Sequence, residues 1–149
     1  MTTIRDKLWI WGHKAGAHNG QYKLPGASRM TPAEAAAYLG LPNLLMVVLG
    51  NEPTPPFDRD AAAMRSLRQV VWSIIGDSSS RRNDQKTDLD EVVSLAERFP
   101  NIAGGIMDDF FMEGKPGEPV SRYGVADLAR FRRALHAAVR PLHLSQVIY

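Results

Sequence analysis

Five short apolar runs constrain this chain more than any other feature: "LWIWG" (8–12), "NLLMVVLG" (43–50), "QVVWSIIGD" (69–77), "IAGGIMDDFF" (102–111) and "HLSQVIY" (143–149). None shows the strict apolar/polar alternation of a strand with one wet face, so each reads as a strand covered on both sides, as in a parallel sheet. Parallel neighbours need a crossover connection, and the intervening segments supply helical patterns for it. "TPAEAAAYLGLPN" opens with Thr31 as N-cap, Pro32 at the first helical position and Glu34 three residues after the cap, and it stops at Gly40. "DLDEVVSLAERF" repeats that grammar with Asp88 and Glu91, and carries an apolar stripe of Leu89, Val92, Val93, Leu95, Ala96 and Phe99. "DRDAAAMRSL" predicts a shorter helix within 58–68. "VADLARFRRALHAAV" places Val125, Leu128, Phe131, Leu135, Ala138 and Val139 on one face, leaving the arginines between 122 and 140 to a solvated one.

The order β-α-β-α-β-α-β-α-β predicts an α/β chain of parallel βα repeats, one domain over 1–149 with no linker. Right-handed crossovers leave two solutions: about the first five strands of a (β/α)8 TIM barrel, or a five-stranded doubly wound flavodoxin-like sheet. Polar residues follow the strands at one end, with His13 after the first, Asn51 and Glu52 after the second, Asp77 after the third, and Asp108 and Asp109 at the fourth. Barrel enzymes build their sites at that end, which favours the barrel. The chain also closes on a strand and is shorter than the roughly 250 residues usual for a barrel, so the expectation is a partial barrel, a fragment of a longer frame. "GHKAGAHNG" lacks the dinucleotide glycine spacing and opens no helix, which counts against the open sheet. No cofactor is expected.

Composition narrows the partners. Lys+Arg 18 against Asp+Glu 16 leaves a net charge of +2, and the arginines are scattered apart from Arg81-Arg82 and Arg130, Arg132 and Arg133, so the chain has no basic stripe for nucleic acid. Without cysteine there are no disulfides, thiolate nucleophiles or Cys-type zinc sites. No run approaches the ~18 apolar residues of a membrane span, and "MTTIRDKLWIWG" is too quickly broken for a signal peptide. A soluble cytoplasmic chain, with neither membrane nor nucleic-acid partner, is the expectation.

The chemistry gathers around "GGIMDDFF". Neighbours on a strand point to opposite faces, so one of Asp108 and Asp109 should face a barrel lumen and the other the helix layer or the loop. Paired carboxylates suit glycoside cleavage, where one acid protonates the leaving oxygen and a second carboxylate acts from the other side; alternatively, both accept N–H groups of the loop "FFMEGKPGEP". His13 and His18 flank "HKAGAHN", where imidazoles can bind a sugar hydroxyl, transfer a proton, or ligate a metal with Asp77 and Asp108, although their spacing matches no zinc motif. Among the aromatics, Trp9 and Trp72 read as core, while Trp11 and Phe111, nearer the strand ends, suit either core or a sugar platform. The polar loop "GDSSSRRNDQ" offers Asp77, Ser78 and Arg81 to a cleft, or is a plain connection. No G-x-S-x-G elbow is present.

"GGIMDDFF" at a fourth strand together with "IWGHKAGAHN" at a first resembles the N-terminal half of an uncharacterised bacterial (β/α)8 family of glycoside-hydrolase type. The resemblance covers the whole chain at the level of strand order. It implies a general acid at the end of the fourth strand, at Asp108 or Asp109. Trp11, His13, His18, Asn51, Glu52, Asp77 and Phe111 are then the candidate substrate contacts. The chain departs from the largest glycosidase clan, which carries Asn-Glu at that strand, whereas "NEP" stands here at 51–53 after the second; the spaced aspartates of chitinases are also missing, and a second carboxylate on a late strand would lie beyond Tyr149. The function implied is a carbohydrate-active hydrolase. Its alternatives are a metal-assisted hydrolase using His13, His18 and the acids, and a non-catalytic domain that binds a small ligand or pairs as a homodimer through the exposed last strand.

Overall fold

A computed structural model of the chain describes residues 3–77, 80, 88–111, 116–117 and 121–148. Five strands, β1 (Trp9–Gly12), β2 (Asn43–Met46), β3 (Gln69–Ile75), β4 (Ile102–Met107) and β5 (His143–Gln146), form one parallel sheet in the order β1-β2-β3-β4-β5. Between them run α1 (Pro32–Leu39), α2 (Asp58–Ala63), α3 (Leu89–Arg98) and α4 (Val125–His136). The order decides between the two topologies drawn from the sequence. A doubly wound sheet reverses direction at a switch point and places its first strand inside the sheet; here each crossover advances one strand the same way, so the flavodoxin-like alternative is overturned. Sequential winding is that of a (β/α)8 barrel wall.

Uniform winding puts all four helices on one face, where Ala36, Ala61, Leu95 and Phe131 from the helices share one cluster with Leu44, Met46, Trp72 and Ile74 from the strands. The opposite face carries a small cluster of Val47, Val71 and Ile106, with Leu45, Ala103 and Val147 against it. Alternation along β2 explains the division: Leu44 and Met46 point to the helices, Leu45 and the following Val47 away from them. The two glycines of β4 mark close approach. A Cβ on Gly104 would run into the His143 carbonyl oxygen of β5, and one on Gly105 would lie 2.7 Å from Ile74 Cγ2.

Local signals were realised unevenly. At α1 the capping box forms in full, Thr31 N–H donating to Glu34 Oε2 (2.8 Å) and Glu34 N–H to Thr31 Oγ1 (3.2 Å), and Gly40 ends the helix at φ +64°. At α3 the same grammar fails. Asp88 sits at ψ 14°, outside the extended conformation of an N-cap, and makes no side-chain cap bond; its own N–H donates to the Ile74 carbonyl (3.0 Å), and Glu91 Oε1 accepts the Phe57 N–H at the start of α2 (3.3 Å). α2 ends at Ala63, earlier than the pattern predicts. Trp72 is fully buried as expected, but Trp9, on edge strand β1, is 37% exposed and outside the core. Val125 and Val139, assigned to the apolar face, are exposed at 85% and 64%, since only Phe131 and Leu135 of α4 are fully covered.

Two arginines expected on a solvated face are instead clamps. Arg140 donates to the carbonyls of Ala96 (2.8 Å) and Phe99 (3.1 Å) at the end of α3 and of Ile102 (2.7 Å) at the start of β4, tying the helix end to the strand. Arg122 reaches back to the Gly76 (3.0 Å) and Asp77 (3.4 Å) carbonyls beyond β3. Among the described residues, no helix is long and apolar enough to cross a membrane.

Candidate functional site

A cleft of about 690 Å³ opens at the carboxyl ends of the strands, and residues at or beyond the end of every strand line it. Trp11, His13, His18 and Tyr22 come from β1 and its loop, Leu49 follows β2, Asp77 follows β3, Asp108 and Asp109 follow β4, and Val147 follows β5. Parallel winding delivers all five ends to one rim, which is why polar residues so far apart in sequence meet.

One group of the lining residues is aromatic. The Trp11 and His13 rings lie edge-on at 6.1 Å, His13 and His18 edge-on at 4.7 Å, and His18 and Tyr22 tilted at 5.4 Å, a continuous ring contact across the first loop. His13 is fixed at both nitrogens. Trp11 Nε1–H donates to its Nε2 at 2.8 Å, and its Nδ1 meets the Val47 carbonyl at 3.2 Å. An indole N–H only donates and a carbonyl only accepts, so the ring is the neutral tautomer with its proton on Nδ1. Burial above all holds its pKa below the ordinary 6.5; neighbouring His18 adds to that, while the Val47 carbonyl and the Asp77 carboxylate oppose it. His18 is held at Nδ1 by Gln21 Oε1 (3.2 Å).

The other group is acidic. The sequence places only one of Asp108 and Asp109 on the cleft side, yet both line it. Strand geometry stops at Met107, and Asp109 takes φ +40°, a left-handed conformation that turns it back to the side of its neighbour. The Asp109 N–H donates to Asp108 Oδ1 at 2.9 Å, and Asp108 is 4% exposed. A non-glycine residue held in that region costs about 1–3 kcal/mol, and such strain gathers at functional sites. Asp77 does different work. Its Oδ1 accepts from Ser80 Oγ (2.6 Å) and the Gly50 N–H (3.2 Å), fastening the loop after β2 to the loop after β3.

Three expected contacts lie apart. Glu52 pairs with Lys14 (2.7 Å) at the mouth of an adjoining recess of about 470 Å³, which shares Tyr22, Leu49 and Asp77 with the cleft. Asn51, at φ +68°, donates its N–H to Ser80 Oγ at 3.1 Å, and lines neither hollow. Phe111, 48% exposed, stands edge-on to Phe110 and bridges to Ser121 outside the cleft. Ser78 and Arg81 lie outside the described residues, as does most of "FFMEGKPGEP". A recess of about 400 Å³ between the first loop and α1 shares Trp11, His13 and His18 with the cleft and, among the described residues, is lined by no carboxylate. Among the described residues, no three His, Asp or Glu side chains are grouped so as to hold a metal ion.

Tyr22, Leu49 and Val147 were not foreseen as site residues. Tyr22 lies in a loop without periodicity, and its φ of +52° is not encoded by any glycine there. No family model matches the chain, and neither a curated protein nor a solved structure matches it.

Proposed function

We propose that the cleft binds a carbohydrate and that the Asp108–Asp109 pair supplies the acid for cleavage of a glycosidic bond. The observation that carries this reading is the composition of a single cleft: a run of aromatic rings from one loop, and carboxylates from β3 and β4 ends in the same hollow. Sugar rings present apolar C–H faces that pack on aromatic rings, and hydroxyls that donate to carboxylates. The resemblance of "GGIMDDFF" and "IWGHKAGAHN" to a glycoside-hydrolase-type barrel supports the same assignment.

Asp109 is the more exposed of the pair and is assigned the proton donor; Asp108, nearly buried and bound to the Asp109 N–H, orients it. Among the described residues, Asp77 is the only further carboxylate lining the cleft. Glycoside cleavage by paired acids needs a second carboxylate on the opposite side of the sugar. Asp77 is its candidate, with Oδ1 already committed to the loops.

The test is a panel of oligosaccharides, with binding followed by calorimetry and cleavage by release of reducing ends. Asp109→Asn should retain binding and lower turnover by about 10²–10⁴, the usual contribution of a positioned acid. Binding without turnover in the unaltered protein would leave a carbohydrate-binding cleft without catalysis. Absence of binding to any sugar, or full turnover in Asp108→Asn/Asp109→Asn, would remove the reading.

A further inference from the structure

The geometry points to His13 as a positioning residue that holds the Trp11 ring at the rim of the cleft, and holds it only while His13 is neutral. The chain of contacts is short and directional. The Val47 carbonyl just after β2 accepts a hydrogen bond from His13 Nδ1–H (3.2 Å), which leaves Nε2 as a bare acceptor for the Trp11 indole (2.8 Å). The strand pairing fixes the start of this chain, because Val47 N–H itself donates to the Gly12 carbonyl (2.8 Å), beside both residues it controls. Trp11 needs such a restraint. It is 40% exposed on edge strand β1, so packing covers it only in part.

A second proton on His13 goes to Nε2, since Nδ1 already carries one, and there it faces the indole N–H. Two donors then oppose each other, the bond is lost, and the indole is released. The groups facing His13 are His18 from the same loop, whose ring lies at 4.7 Å, and Asp77 at the end of β3; Asp108 and Asp109 at the end of β4 line the same hollow. From β2 it meets the Val47 carbonyl, and the Lys14–Glu52 pair sits in the adjoining recess. Because burial keeps His13 neutral below pH 6.5, release falls on the acid side of that value.

The decisive experiment uses the whole chain with ¹⁵N-labelled histidine and tryptophan and needs no ligand. The Trp11 indole resonance is identified by its loss in Trp11→Phe. At pH 8, His13 should show a proton on Nδ1 and none on Nε2. As pH falls, protonation of Nε2 and movement of the Trp11 indole resonance should share one midpoint below 6.5. His13→Gln, which keeps an acceptor and a donor, should hold the indole resonance without that midpoint. His13→Phe should show a released indole at every pH. A proton on Nε2 at pH 8, or an indole resonance indifferent to His13 titration, would overturn the inference. Should His13→Phe fail to fold, the unaltered protein and His13→Gln decide between these results.

The ligand arm rests on the carbohydrate reading. Affinity for a bound oligosaccharide should fall about tenfold across the same midpoint in the unaltered protein, the size of one lost contact of about 1.4 kcal/mol, and should not fall in His13→Gln. An affinity indifferent to the midpoint would overturn the role of Trp11 as a platform. If no sugar binds at all, the proposed function fails while the spectroscopic arm still decides the role of His13.

Discussion

The two faces of the sheet divide the labour of the molecule. The helix-covered face buries Phe57, Trp72, Phe131 and most of the large aliphatic side chains in one cluster, whereas the opposite face buries Val47, Val71 and Ile106 and, at its strand ends, gives way to histidines and carboxylates. Apolar area removed from water stabilises a fold by about 25 cal/mol per Å², so the helical side carries the stability. Among the described residues, the other side buries only three branched residues, and the cleft opens beyond its strand ends. The lesson is that a strand can serve both: β3 gives Trp72 to the core through one face and, two residues beyond its end at Ile75, gives Asp77 to the cleft.

The largest effect should come from the helical side. Phe131→Ala removes a fully buried ring and should cost about 3–5 kcal/mol, read as a lower midpoint in urea unfolding at unchanged slope. A loss below 1 kcal/mol would break the assignment of stability to that face. Next, Gly104→Ala drives a Cβ against the backbone of β5, where no side chain can move aside, and should cost about 1–3 kcal/mol. Hydrogen exchange should show the loss first in His143–Gln146. Smaller, and opposite in sign, is Asp109→Gly. Glycine adopts φ +40° without strain, so stability should rise by roughly 1 kcal/mol, while the cleavage proposed for the cleft should be lost with the carboxylate. A destabilised Asp109→Gly would mean that its carboxylate serves the fold more than the site.

The smallest effect is a pH dependence. The folded-state pKa of His13 is depressed, so the unfolded chain binds the proton more readily. Its contribution to stability is fully present above about pH 6.5, and is lost as pH falls from there through the lower folded-state value. His13→Gln should flatten that part of the stability profile, and an unchanged profile would show that other groups produce it.

How much of this was legible in the sequence depended on how far each signal had to reach. The α1 boundaries were readable because Thr31, Glu34 and Gly40 act on one another within the helix. The strands were readable as apolar runs; right-handed crossovers left two strand orders open, and the polar strand ends favoured the sequential one that the sheet has. The Asp88 capping box did not form: Asp88 is not in the extended cap conformation, its N–H is bound to the Ile74 carbonyl, and Glu91 is bound to Phe57, 34 residues upstream. Arg140 looked like a surface charge because its carbonyl partners sit 38 to 44 residues back. Asp108 and Asp109 were assigned to opposite sides by a rule that holds only within a strand, and the chain leaves strand geometry just before them. Tyr22 joined the site through a loop conformation that no periodicity records.

Sequential strand order also bears on how the chain acquires its structure. Each hydrogen-bonded pair in the sheet joins strands adjacent in sequence, so every pairing closes a loop of only one crossover. Loop closure costs entropy that grows with length, and folding rates fall as contacts become less local. No pairing here must wait for the distant end of the chain. Each new strand and helix can dock on the edge left by the unit before it, so assembly can follow synthesis from β1 towards β5, with the cleft gaining Asp77 after β3 and its aspartate pair only when β4 is laid down.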